Sequence, residues 1–179
     1  DIDVFVISKY EKDDYKEGDF HINYFPEDVY GTLFFNSLSK LCVSNRKISF
    51  VEINEKVNLD TFISLYQELF HDISNDFKGI KNILRDFLLQ AAWLAKSHLP
   101  DSFALDYLVN RIQQMDKKKE IIKSIFVQSV ILGCRRKELI KSCKEMIASY
   151  KSLMKEYQQH RNYYKEMIAV FEEVLLFEK

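Results

Sequence analysis

The feature that most restricts this chain is a run of apolar and aromatic residues, spaced by threes and fours, along its C-terminal third. Ile140, Cys143, Ile147, Tyr150, Met154, Tyr157, Arg161, Tyr164, Ile168, Phe171 and Leu175 keep that spacing without a slip, and only Arg161 is charged. On an α-helix this spacing gathers the side chains into one stripe. Sustained over five heptads, it is the pattern of a coiled coil or of a long helix in a bundle. No Gly or Pro interrupts 135–179, so one continuous helix of about 65 Å is expected at roughly 1.5 Å per residue.

Such a seam must be shielded from water. The sequence leaves two ways open. A helix of the same chain, such as the one expected around Ile121, can fold back against it. Alternatively, a partner chain or a second copy can lie along it. Tyr150, Tyr157 and Tyr164 are bulky for a two-stranded zipper, which favours Leu and Ile at these positions. Tyrosine and methionine suit a helix that meets an irregular protein surface. The interaction seam is therefore Ile140, Cys143, Ile147, Tyr150, Met154, Tyr157, Tyr164, Ile168, Phe171 and Leu175.

Upstream of the seam the spacing is again helical. Asn58 suits a helix cap ahead of Phe62, Ile63, Leu65, Tyr66 and Leu69. Gly79 precedes a second helix, from Ile80 to Ala95, apolar on most of its circumference and hence expected at the centre of the core. Pro100 and Asp101 separate it from a third, carrying Phe103, Leu105, Leu108 and Ile112. Residues Ile121–Leu132 form a fourth, and Gly133 allows a kink or short break after it.

The first 56 residues read differently. Val4–Ile7, His21–Phe25 and Ile48–Ile53 are short, β-branched or aromatic, and bounded by polar stretches, the signature of strands. The stretch Lys9–Asp19 is polar apart from its tyrosines and reads as a connection. Pro26-Glu27-Asp28 opens a helix with Val29, Leu33, Phe34, Leu38 and Leu41 on it. The expected fold class is mainly α (α+β): a β-β-α-β element over 1–56, a helical core over 57–134, and a long coiled-coil-like helix over 135–179. Only four Gly and two Pro occur in 179 residues, too few turn formers for a many-stranded sandwich.

Charge is balanced overall at −1 but divided along the chain. Asp1–Tyr30 holds nine acids against three lysines, −6; Arg111–Lys165 holds fourteen bases against five acids, +9. Lys137, Lys141, Lys144, Lys151 and Lys155 form a basic stripe beside the seam, preceded by Lys117, Lys118, Lys119 and Lys123. Such a stripe can meet nucleic acid or an anionic membrane. It can equally be a solvated helix face, since the tyrosines that could stack bases lie on the seam.

No catalytic site, cofactor site or metal site is identified. The four histidines have no i, i+3 or i+4 partner histidine, and His71, Asp72 and Asp76 do not share a helix face. Phosphate-cradling glycine motifs and a GxSxG elbow are missing. Cys134, beside Arg135 and Arg136, is placed for a lowered thiol pKa. No apolar run reaches the roughly 18 residues of a membrane span. Three cysteines without CxxC spacing, and no Asn-x-Ser/Thr, point to an intracellular, cytoplasmic setting. The chain starts at Asp1, which is compatible with a processed leader or a larger parent protein. The functional expectation is a non-enzymatic protein-interaction or scaffold module using the C-terminal seam, alone or in an oligomer. Binding of nucleic acid or anionic lipid through the basic stripe is the alternative, with a helical enzyme the remotest.

Overall fold

A computed structural model describes the chain except for residues 1, 11, 41, 45–51, 54, 56, 75–79 and 178–179. The fold is mainly α with a small N-terminal sheet. It divides into two compact units, Asp1–Glu55 and Lys56–Lys179.

In the first unit, β1 (Ile2–Ile7) lies parallel to β3 (Phe20–Phe25), from Ile2 opposite Phe20 to Ile7 opposite Phe25. Strand β2 (Tyr15–Glu17) pairs antiparallel with β3, giving the order β1-β3-β2. Strand β2 falls inside the stretch read as a connection. Its three residues are exposed, so no buried alternation announced it, and what makes the hairpin is Gly18, whose φ of +60 the tight turn needs. The helix expected to start at Pro26 is split: a 3-10 turn spans Glu27–Gly31 before α1 (Leu33–Ser39) begins. The division comes at Thr32, which is extended and whose hydroxyl accepts the Phe35 N–H at 3.1 Å, making it the cap of α1. Of the third expected strand, Ile48–Ile53, most lies outside the described residues.

The second unit is all helix: α2 (Leu59–Ser74), α3 (Ile80–Leu94), α4 (Ser102–Gln113), α5 (Lys118–Gly133), α6 (Arg136–Glu156) and α7 (Arg161–Phe177). Asn58 caps α2, its side-chain oxygen accepting the Thr61 N–H at 2.9 Å. Asp101 caps α4 through the Ala104 N–H at the same distance. The core is a set of rings contributed by five helices. Phe62 stacks on Phe87 at 5.2 Å and on Phe126 at 5.4 Å, and Tyr66 lies on Phe126 at 4.2 Å. Phe171 meets Phe126 edge-on and stacks on Tyr150. Such pairs add to the area they bury, and they fix the directions of the helices.

The single helix expected over 135–179 does not occur. It is broken at Tyr157 (φ −117, ψ 80) and a 3-10 turn, Gln158–His160, so that α6 and α7 form an antiparallel hairpin. Nor is 135–179 a separate body, since both arms belong to the same unit as α2–α5. No breaker residue marks the turn. The physical reason is that a three-four pattern is satisfied equally by one long rod with an external partner and by two half-length arms covering each other. The hairpin buries the stripe without any other chain, and tertiary burial outweighs the modest propensity gained by continuing the helix.

Candidate interaction surface

The seam residues are distributed along the two arms. Cys143 and Tyr150 on α6, and Ile168 and Phe171 on α7, are buried. Ile140, Ile147, Met154, Tyr164 and Leu175 are half-buried, and Tyr157, at the hairpin tip, is exposed. Tyr150 is held hardest. Its ring contacts Tyr164 and Phe171, and its hydroxyl is hydrogen-bonded to the Gln67 amide on α2. Burial pushes its pKa well above the ordinary tyrosine value, with Tyr163 and Tyr164 adding to the shift. The seam is thus structural core of the second unit. As a surface for a second chain it is consumed.

All five lysines of the basic stripe are exposed on α6. Lys141 lies 3.8 Å from Glu145 and Lys151 lies 4.0 Å from Glu172. Lys137, Lys144 and Lys155 have no carboxylate partner among the described residues. The preceding cluster serves packing: Lys119 reaches Glu166 and sits over the Phe70 ring, and Lys123 pairs with Glu173 at 2.7 Å.

Those two ion pairs also set direction. Lys119 opposite Glu166 and Lys123 opposite Glu173 make α5 and α7 run the same way. The C-terminal turn of α5 lies against that of α3: a Cβ built on Gly133 would fall 2.5 Å from the Leu94 carbonyl carbon. Helix α5 is packed against both α3 and α7. On the last turns of these three helices Trp93 is 37% exposed, Leu132 69%, Leu176 62% and Phe177 67%. Helix α4 is tied to α3 by the pairing of Arg85 with Asp106, and its first turn carries the exposed Phe103. Single exposed apolar side chains are ordinary; those on the last turns of the neighbouring helices α5 and α7 form a candidate interaction surface.

Sequence reasoning missed this surface. Leu132, Leu176 and Phe177 are off the apolar stripes of their helices, which is the signal they carry. Which helix ends are neighbours depends on which helices run parallel, and no local pattern encodes that.

The other sites considered reduce to structure. Cys134 is not an activated thiol. Burial, with Glu138 in second place, raises its pKa to about 11 despite the adjacent arginines, because those side chains are exposed and do not offset the desolvation. His71 lies 3.4 Å from Asp72, and Asp76 is outside the described residues. Among the described residues no group of three His, Cys, Asp or Glu side chains converges for a metal. A cleft of about 470 Å³ at the ends of β1 and β3 holds Lys9, Lys12, Asp13 and Asp14. Asp14 accepts the Tyr24 N–H at 2.7 Å and Lys12 covers the Tyr24 ring, so its polar groups are partly engaged with the strand itself. No helix among the described residues is long and apolar enough to cross a membrane.

Comparison of the chain with protein-family models, with curated proteins and with solved structures finds no match.

Proposed function

We propose that this chain is a protein-interaction module that docks a partner on the exposed apolar last turns of the neighbouring helices α5 and α7. The observation that carries the reading is the exposure of Leu132, Leu176 and Phe177, each more than 60% accessible, at the ends of two helices that pack on each other. Covering groups of this size is favourable at roughly 25 cal/mol per Å², and central aromatic side chains are the usual anchors of an interface. The seam from Ile140 to Leu175, which first suggested an interaction role, supports it differently: it makes the bundle rigid enough to hold these turns in shape. A photo-crosslinking side chain placed at Leu132, compared with one at Lys155, tests the proposal. A discrete adduct, identified by mass and reconstituted from the purified partner, is expected from position 132 alone. Equal, diffuse labelling from both positions would remove the reading.

A second reading is favoured by Lys137, Lys144 and Lys155, exposed on α6 without carboxylate partners among the described residues: α6 meets a polyanion, nucleic acid or anionic lipid. Glu138, Glu145 and Glu156 are interleaved with six bases on that helix, which weakens the field. Charge reversal at Lys144 and Lys155 should lower the binding of single-stranded oligonucleotide or anionic vesicles and reduce its salt slope. No binding at low salt ends this reading.

A further inference from the structure

We infer that the outer face of α4 is a second interface, through which two copies of this chain pair antiparallel. Helix α4 buries Leu105, Val109 and Ile112, and the face opposite them is not a polar one. On it Phe103 is 76% exposed, Tyr107 68% and Leu108 41%, with Ala104 exposed among them. Helical spacing alone places these side chains together. Phe103, Tyr107 and Arg111 follow one another at intervals of four and make one ridge, and Ala104 and Leu108 make the ridge beside it. Two exposed rings on successive turns of one helix are a patch, where a single one would be ordinary.

The occupant is a second copy because the ridge is its own complement. It begins with a ring and ends with a guanidinium, and Tyr107 lies midway, about 6 Å from each. Turned end for end on a two-fold axis through Tyr107, it brings Phe103 of each copy to Arg111 of the other, so a cation meets a ring twice per dimer. Ridges of this type laid along each other give the commonest crossing of packed helices. Arg111 is exposed and has no carboxylate partner among the described residues. The remaining charges agree with the pairing. Asp106 is held by Arg85. Asp101, which caps α4, comes to the end where the copy carries Lys117 and Lys118 against Asp116. Size sets the strength. Phe103, Tyr107 and Leu108 leave on the order of 400 Å² of apolar surface open, about half of what a permanent dimer takes from each copy. The pair therefore forms at high concentration and dissolves on dilution.

Sedimentation velocity from about 10 µM to about 1 mM covers the range of such weak contacts, and a reversible monomer–dimer equilibrium is expected. Arg111→Glu loses the ring contact twice per dimer and should weaken association about tenfold. Tyr107→Ser should abolish it. Both positions are exposed, and unchanged helical circular dichroism checks that folding is kept. Leu132→Ser, on the surface proposed above for a partner, should leave association as it was. Direction is read from Phe103→Cys and Arg111→Cys, each combined with Cys42→Ser to remove the exposed native thiol, and treated with a short bismaleimide alone and mixed. The mixed pair keeps its second Phe103–Arg111 contact, so a cross-linked dimer should form from the mixture and from neither variant alone. A chain that stays monomeric throughout overturns the proposal, as does an association that survives Tyr107→Ser or is lost with Leu132→Ser. If no cross-link is specific to the mixture, the antiparallel pairing is overturned, and the argument from self-complementarity goes with it.

Discussion

Gly133 to alanine is a substitution for which local and tertiary reasoning give opposite signs. Gly133 is the last residue of α5 and its φ is not positive, so alanine can adopt its backbone conformation. On helix propensity alone, Gly133→Ala should stabilise the protein by up to about 1 kcal/mol. The structure predicts the reverse. The added methyl would be 2.5 Å from the Leu94 carbonyl carbon, 2.8 Å from Leu94 Cγ, and closer still to the carbonyl oxygen. Carbon atoms in contact sit about 3.5 Å apart, so the two helix ends must separate by about 1 Å. The obstacle is backbone, locked by the hydrogen bonds of Lys96 to Trp93 and of Ser97 to Ala92, so it cannot turn aside as a side chain would. Overpacking of this kind costs about 3 kcal/mol at the upper end of its usual range. Set against the propensity gain, the net loss is about 2 kcal/mol, or roughly 8 °C in melting temperature for a unit of this size. Urea denaturation of the two proteins, followed by circular dichroism, measures it. Leu94→Ala in the Gly133→Ala background should give no recovery, since the clash with the main chain persists. A neutral or stabilised Gly133→Ala variant would refute the close approach of α3 and α5.

Tyr66 is fully buried and its hydroxyl has no hydrogen-bond partner among the described residues; Tyr66→Phe should leave stability unchanged or raise it by about 1 kcal/mol, and a loss of the same size would contradict this. Lys96 sits at φ 53 in the turn that ends α3, the place where glycine is favoured, so Lys96→Gly should stabilise by about 1 kcal/mol in the same denaturation assay. Phe171→Ala should cost about 3–5 kcal/mol independently of protein concentration, as a core residue does, whereas Phe177→Ala should cost well under 1 kcal/mol; a concentration-dependent Phe171→Ala midpoint would return the seam to an intermolecular role. Burial raises the pKa of Tyr66 and Tyr150 in the folded state above the unfolded value near 10. Their contribution is therefore full below pH 10 and is lost as pH climbs toward the folded values. Tyrosinate absorbance at 295 nm should show two rings that ionise only as the helical signal collapses.

Much of the fold could be read from local order. Caps at Asn58 and Asp101, the period of Ile80–Ala95 and of Ile121–Leu132, and the short β-branched and aromatic run Val4–Ile7 each depend on neighbours in sequence, and the structure has helices or strands there. The hairpin β2 was not legible, because three exposed residues and a polar turn carry no burial signal. Cys134 shows the same limit for chemistry. Its arginine neighbours suggested a low pKa, but burial, which depends on the folded packing and not on sequence neighbours alone, raises it.

By itself, the sequence required that the stripe from Ile140 to Leu175 be hidden from water and that helices supply most of the fold. Periodicity fixes which face of a helix is apolar, because that face repeats every turn. It does not fix what covers the face, since one rod against a partner and two arms against each other bury the same residues. The break at Tyr157 was decided by the competition between those arrangements, which only packing in three dimensions resolves. The same holds for the exposed apolar turns. Leu132 and Phe177 are far apart along the chain, and their helices lie side by side in the same direction because of the ion pairs of Lys119 with Glu166 and Lys123 with Glu173.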